Sequence, residues 1–330
     1  MLPLSIPSPS TAWQYFDLTN WLDRVFGWSF PLDFRIHAYA ICILLGIVAC
    51  VVITDRRLVR RGVEKWVIVD IAIGAVPLGI IGGRAYHVFT HVGDYFGPGI
   101  AWWEPFAIWE GGLAIFGALI AGALGAWWAC RYVGLRFTTF VDAVAPGLLV
   151  AQAFGRLGNY FNHELFGMPT NLPWGLQIEQ SNPAYPVGLP AGTLFHPTFL
   201  YEIIWNLVGF AVIMLIDRRF HLQWGRVLAL YLIWYGAGRS VLESIRVDTS
   251  ETFFGVRTNV WAALAAIVLG IVIFVVQTRR HPGTEPSGYL AGRGPRAASS
   301  VGSDDTYSES DDEPLVVTDP EPVATAADRS

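Results

Sequence analysis

The sequence predicts an all-α polytopic membrane protein of about seven transmembrane helices, with its N-terminus outside and its C-terminus in the cytoplasm. Three observations carry this. The 330 residues are 53% hydrophobic and only 15% charged. Their apolar residues fall in runs approaching the roughly 20 residues that a helix needs to cross about 30 Å of hydrocarbon, rather than at amphipathic spacing. Clusters of arginine recur in alternate loops.

The elements follow in order. Residues 1–35 contain Trp13, Trp21, Phe26, Trp28 and Phe30 but no charged segment followed by a compact apolar core, so an interfacial arm is expected and not a cleavable signal peptide. Spans are expected at 36–54, 66–89, 111–130, 138–154, 198–216, 226–243 and 258–277; the fourth is short enough for a tilted or re-entrant segment. After the first span come Arg56, Arg57, Arg60, Arg61 and Lys65; after the third, Arg131 and Arg136; after the fifth, Arg218, Arg219 and Arg226; after the seventh, Arg279 and Arg280. Basic residues concentrate on the cytoplasmic side, which places these four segments inside and the connection 155–197 outside. That Pro/Gly/Asn-rich connection is longer than a helical link requires, so a functional outer surface is expected there.

Residues 281–330 are a different material. Ten acids stand there against three bases, and removing this −7 from the chain's −5 leaves a body of +2. The segment is rich in Ser, Pro and Ala and poor in apolar clusters, so a disordered cytoplasmic tail is expected. Cys42, Cys50 and Cys130 sit singly in apolar segments and are expected to be inert buried thiols. Gly111, Gly112, Gly117 and Gly122 suggest close helix packing. His37, His87, His91 and His163 lack metal-ligand spacing; no metal, no cofactor and no nucleic-acid partner is expected.

Two polar constellations can do chemistry. The run Gly155-Arg156-Leu157-Gly158-Asn159-Tyr160-Phe161-Asn162-His163-Glu164-Leu165-Phe166-Gly167 places an arginine, two asparagines, a histidine and a glutamate beside apolar helices, where unpaired polar groups cost several kcal/mol each. Arg156 and Asn159 share a face if the segment is helical. At the outer end of the sixth span Tyr235, Arg239, Glu243 and Arg246 form one stripe, with Glu243 able to orient either arginine. An Arg–Glu pair at i,i+4 is also a common structural device, and boundary arginines snorkel to headgroups. The coincidence of both sets on one side favours a bound anionic headgroup. In His196-Pro197-Thr198-Phe199-Leu200-Tyr201-Glu202, His196 suits a hydrogen bond at the start of a helix as well as proton transfer, and Glu202 suits a brace.

These residues, with Met168-Pro169-Thr170-Asn171-Leu172-Pro173-Trp174-Gly175 and Gly238-Arg239 followed by Glu243 and Arg246, resemble the prolipoprotein diacylglyceryl transferase family over about residues 20–280. The resemblance implies a seven-helix enzyme of the bacterial inner membrane. Its reaction transfers the diacylglyceryl group of phosphatidylglycerol to the lipobox cysteine of a preprolipoprotein and releases glycerol phosphate. It implies further that Arg156, Asn159, Glu164 and Gly167 match important signature positions, that Arg239 and Glu243 match a second polar group, and that Tyr39 matches the tyrosine near the first span. With the stripe, the expected catalytic residues are Arg156, Asn159, Arg239, Glu243 and Tyr235; Tyr39, Glu164, Gly167, His196 and Arg246 are expected to bind substrate. The expected partners are phosphatidylglycerol, lipobox signal peptides and membrane lipids.

Two departures stand out. The family often has histidine where Phe116 follows Trp109-Glu110-Gly111-Gly112, and arginine where His37 precedes Tyr39. Phenylalanine cannot carry a proton, so either the histidine's role is not required for the chemistry or another group such as Glu243, Tyr235 or His196 activates the thiol. A catalytically impaired lipid-binding relative and a lipid transporter are the alternatives. No pseudo-repeated halves of the kind many transporters show are evident in the sequence.

Overall fold

The computed structural model describes residues 5–27, 35–247 and 252–294. Helices dominate: α1 Leu18–Phe26, α2 Ala38–Arg60, α3 Val67–Thr90, the short α4 Val92–Tyr95, α5 Ile115–Val133, α6 Phe137–Phe161, α7 Thr198–Phe220, α8 Arg226–Glu243 and α9 Thr258–Arg280. Three two-stranded antiparallel ribbons are small additions, pairing β1 (Tyr15–Asp17) with β2 (Arg35–His37), β3 (Leu176–Gln177) with β4 (Leu194–Phe195), and β5 (Thr252–Phe253) with β6 (Val256–Arg257). Six helices, α2, α3, α5, α6, α7 and α9, are long and apolar enough to cross a membrane. The chain is thus an all-α polytopic membrane protein. The sixth expected span, 226–243, is α8, which is not among these six; its 18 residues include Arg226, Arg239 and Glu243.

The fourth expected span is corrected. Gln152, Arg156 and Asn159 interrupt its apolar run, yet the helix continues unbroken for 25 residues, from Phe137 to Phe161. It tolerates them because it is the central helix, with 56% of its apolar window buried against 28% or less in the other five. It packs on α2, α7 and α8. The expected outer connection therefore begins after Phe161, and the first polar constellation starts on a helix.

Small residues bring α3 against α5. A Cβ on Gly125 would lie 2.6 Å from the Gly74 carbonyl oxygen, and Gly117 meets the backbone of Gly82 as closely. Gly122 also faces this crossing. Gly111 and Gly112, with φ values of 91° and 73°, lie in a turn ahead of α5, so helix begins at Ile115, not at 111; Gly112 still packs tightly on α3, where a Cβ would lie 2.6 Å from the His87 ring. The turn is held by Arg84 of α3, buried, which donates to the carbonyls of Pro105 (2.8 Å), Glu104 (2.7 Å) and Gly111 (2.6 Å). Cys42 and Cys130 are buried.

At the end of the bundle opposite to the close of α6, Asp142 of α6 accepts from the backbone N–H groups of Gly225 (2.8 Å), Val227 (2.9 Å) and Leu228 (3.1 Å). A carboxylate capping the first turn of a neighbouring helix fixes the height of α8 against α6. Arg57 pairs with Asp217 at 3.0 Å nearby. The stretch 281–294, expected to begin the disordered tail, is instead placed here. Glu285 accepts from Thr138 Oγ1 (2.8 Å), Thr139 Oγ1 and the Trp224 amide (3.1 Å). Tyr289 is buried, accepts at its hydroxyl from the Glu64 amide (3.0 Å) and at its carbonyl from Arg136 Nε (2.9 Å). Composition hid this because one aromatic and one carboxylate suffice to dock a short strap. The rest of the tail lies outside the described residues.

The N-terminal arm is divided. Trp13, Trp21 and Phe26 are exposed, and α1 is amphipathic; Trp28 and Phe30 lie outside the described residues. Residues 5–8 are sewn to the connection after α6, with the Ile6 amide donating to Gly175 O (2.9 Å), the Gln177 amide donating to Ile6 O (2.9 Å), and Tyr160 donating to Pro7 O (2.7 Å). That connection has its own core of Phe166, Leu176, Ile178, Tyr185 and Phe195.

Candidate active site

The last turns of α6 carry the first set of side chains. Arg156 and Asn159, three residues apart, share a face, and Arg156 Nη1 donates to Asn159 Oδ1 at 3.3 Å. Arg156 Nε lies 2.5 Å from Glu202 Oε2, so α7 supplies the carboxylate that aims this guanidinium. Asn159 Nδ2 donates to Glu164 Oε1 at 2.7 Å, and Asn162 Nδ2 reaches the same oxygen at 3.3 Å. Glu164 can fold back because the chain reverses after α6 through His163 and Leu165, whose φ values are 53° and 58°. Gly158 seats the ring of Tyr39: a Cβ there would lie 2.6 Å from Tyr39 Cδ2. This contact joins the start of α2 to the signature run.

The second set comes from α8 and the chain beyond it. Arg239 Nη2 lies 2.8 Å from Glu243 Oε2. Glu243 is 1% exposed, and its Oε1 accepts from Asn259 Nδ2 at 3.0 Å and Arg257 Nη1 at 3.4 Å. Arg246, also buried, sits where residue 246 bridges Gly167. Gly167 is the tight point: a Cβ would lie 2.7 Å from His196 Cβ and 2.9 Å from Ile245 O, while the Gly167 amide donates to His196 O at 2.9 Å. Three chain segments thus meet at one glycine, tying the signature run to the stripe.

The two sets converge. Arg239, Arg246 and Tyr235 all lie within electrostatic reach of Arg156. Among the described residues Glu202 pairs with Arg156, and Glu243 pairs with Arg239 and Arg257. Tyr235 stacks on Tyr231 at 6.1 Å and remains partly exposed. His196 stands apart, with Nδ1 3.2 Å from the Tyr201 hydroxyl, which also accepts from Trp174 Nε1 at 3.0 Å. Beside Glu164 opens a cavity of about 430 Å³ lined by Thr11, Gln14, Asn162, His163, Glu179 and Asn182 among others, with His163 Nδ1 2.9 Å from Glu179 Oε1.

Residues 28–276, which contain every one of these side chains except those of the N-terminal arm, match the family model described as prolipoprotein diacylglyceryl transferase. The chain belongs to the prolipoprotein diacylglyceryl transferase family. Among its relatives, a phosphatidylglycerol–prolipoprotein diacylglyceryl transferase of Leifsonia xyli subsp. xyli is 58% identical over 296 residues, covering 88% of this chain and 85% of the relative. One from Bifidobacterium adolescentis is 48% identical over 260 residues, covering 76% and 77%. A protein of Streptomyces coelicolor, phosphatidylglycerol–prolipoprotein diacylglyceryl transferase 2, is 46% identical over 293 residues, covering 88% and 86%.

Sequence reasoning assigned Glu202 only a bracing role and passed over Arg257 and Asn259. Arg257 and Asn259 gave no signal, because they follow Glu243 by 14 and 16 residues across a separate ribbon and meet it only where α9 packs on α8. Phe116, at the position where the family often has histidine, lies in the first turn of α5 and is partly exposed. His37 packs its ring on Tyr15 at 4.3 Å.

Proposed function

We propose that this chain transfers the diacylglyceryl group of phosphatidylglycerol to the lipobox cysteine of preprolipoproteins, forming a thioether and releasing glycerol phosphate. The observation that carries the reading is the convergence of Arg156, Arg239 and Arg246 around one place at the ends of apolar helices. A phosphodiester is anionic and complements guanidinium groups.

In the reaction the cysteine sulfur, as thiolate, attacks the glycerol carbon bearing the phosphate oxygen. The S–C bond forms, the C–O bond breaks, and the electron pair leaves on oxygen with the glycerol phosphate. Negative charge grows on that oxygen as the bond breaks, so guanidinium forks aimed there favour the transition state over the diester. Glu202 and Glu243 aim the forks of Arg156 and Arg239; Asn159 and Glu164 extend the polar surface towards the cavity. Gly158 and Gly167 let Tyr39 and the 245–246 segment approach. Tyr235 and Arg246 complete the headgroup site, and His196 supports it through its carbonyl, which accepts from the Gly167 amide. The nucleophile belongs to the substrate, which agrees with the burial of Cys42 and Cys130.

The finer architecture fits the same reading. We place α8 as a span too, which makes seven, with the N-terminus outside and the arginine-rich turn 55–65 and the tail in the cytoplasm of a bacterium whose inner membrane holds the enzyme. The site then opens outward, where residues 1–35 form an arm and the connection after α6 forms a cap, while 36–280 constitute the transferase domain. The test is incubation of the purified protein with phosphatidylglycerol vesicles and a lipobox peptide. A thioether-linked diacylglyceryl peptide is expected; its absence from correctly folded protein would sink the transferase reading and leave lipid binding alone.

A further inference from the structure

We infer that Asn259 and Arg257 are positioning residues for the transfer, holding Glu243 as a fixed anion whose task is to aim Arg239 and not to take the proton of the substrate thiol. The inference rests on the proposed reaction and adds two residues to its machinery. Glu243 ends α8 and is 1% exposed. Its Oε2 faces Arg239 at 2.8 Å, while Oε1 takes Asn259 Nδ2 at 3.0 Å and Arg257 Nη1 at 3.4 Å. Oε1 is engaged by two donors, while Oε2 meets Arg239 as an ion pair and takes no hydrogen bond. A proton on this carboxylate would cancel its ion pair with Arg239 in a place closed to water.

The two residues act through a torsion. The terminal torsion of a glutamate is broad, so a carboxylate gripped on one oxygen alone swings and carries its partner with it. Asn259 and Arg257 grip the second oxygen from α9 and the residue before it, a different helix from the one bearing Arg239. Arg257 also donates through Nη2 to the Arg246 carbonyl at 2.9 Å, which fixes the chain leaving α8 against the chain entering α9. The plane of the Glu243 carboxylate is therefore set, and with it the direction of the Arg239 fork. Arg257 contributes a second positive charge to this carboxylate, so the Arg239–Glu243 pair is not neutral towards a phosphate.

The experiment measures kcat and KM for thioether formation by the full-length protein in phosphatidylglycerol vesicles with a lipobox peptide, comparing the parent with Asn259→Ala, Asn259→Ser, Arg257→Ala, Arg257→Lys, Glu243→Gln and Glu243→Gln/Asn259→Ala. We expect Asn259→Ala to lower kcat about tenfold with the KM for peptide little changed, as a coupling within the usual range between neighbours predicts. Asn259→Ser, which retains a short donor, and Arg257→Lys should each recover part of the loss. Glu243→Gln/Asn259→Ala should be no slower than Glu243→Gln alone, because Asn259 acts through the carboxylate. A merely structural role would not give that non-additivity. Parent-like turnover in both Asn259→Ala and Arg257→Ala would overturn the inference, as would an undiminished Asn259→Ala effect in the Glu243→Gln background. If Asn259→Ala fails to fold, the same comparison is made with Asn259→Ser. A parent that forms no thioether would instead defeat the transferase reading itself.

Discussion

Replacing Arg156 by Ala should damage the protein in two separable ways. The Arg156–Glu202 pair is closed at 2.5 Å, with side chains 23% and 11% exposed. Removing one partner of a buried pair leaves the other charge uncompensated, at about 3–5 kcal/mol, and the residual exposure of Arg156 places this case near the lower bound. For a domain of this size a loss of about 3 kcal/mol corresponds to roughly ten degrees of melting temperature. Removing one donor to a developing oxyanion costs a further ~10²–10³ in kcat, or about 2.7–4 kcal/mol of transition-state stabilisation. The charge-balanced variant Arg156→Gln/Glu202→Gln separates the effects, since two amides bury without a lone charge. Thermal melting in detergent should show it close to the parent, while mass spectrometry of the thioether product should show turnover still ~10²–10³ lower. Parent-like turnover in the double variant would show that Arg156 only balances Glu202 and does not meet the phosphate.

Other outcomes follow from the same geometry. Arg239→Lys should lower turnover about tenfold or more, because a point charge replaces the planar fork that Glu243 aims; an unaltered rate would remove the fork from the mechanism. In intact cells a cysteine at the fully exposed Val187 should react with a membrane-impermeant thiol reagent, whereas cysteines at 55–65 or beyond 295 should not. Labelling of the tail from outside would invert the topology. Deleting 295–330 should leave transfer intact, but deleting 281–330 should lower the melting temperature by several degrees, since it removes the bonds of Glu285 and Tyr289, each worth about 1 kcal/mol. Equal melting temperatures for the two truncations would show that the strap does not stabilise the fold.

The spans and the two polar constellations are properties of short stretches of sequence, which is why they are legible without a structure. A membrane-length apolar run declares itself by length alone, because hydrocarbon offers no partner for exposed backbone. The Arg156–Asn159 pair and the 235–246 stripe are likewise local, set by the 3.6-residue turn. Chain boundaries were less legible where packing outweighed composition. The polar end of α6 stays helical because its neighbours bury it, and 281–294 docks because Glu285 and Tyr289 find partners on α6 and on the turns at residues 64 and 224.

What the sequence determined by itself is therefore an α-helical membrane protein carrying two sets of polar and charged side chains. Only the tertiary structure decided that the sets form one site, because the contacts that join them span long distances along the chain. Arg156 meets Glu202 across 46 positions on α7, Gly167 meets residue 246 across the whole of α7 and α8, and Glu243 meets Asn259 where α9 returns along α8. Each carboxylate that aims an arginine is held where helices pack, and helix packing depends on how small residues let backbones approach. That information is distributed over the bundle, so no local pattern around Glu202 or Asn259 reveals it.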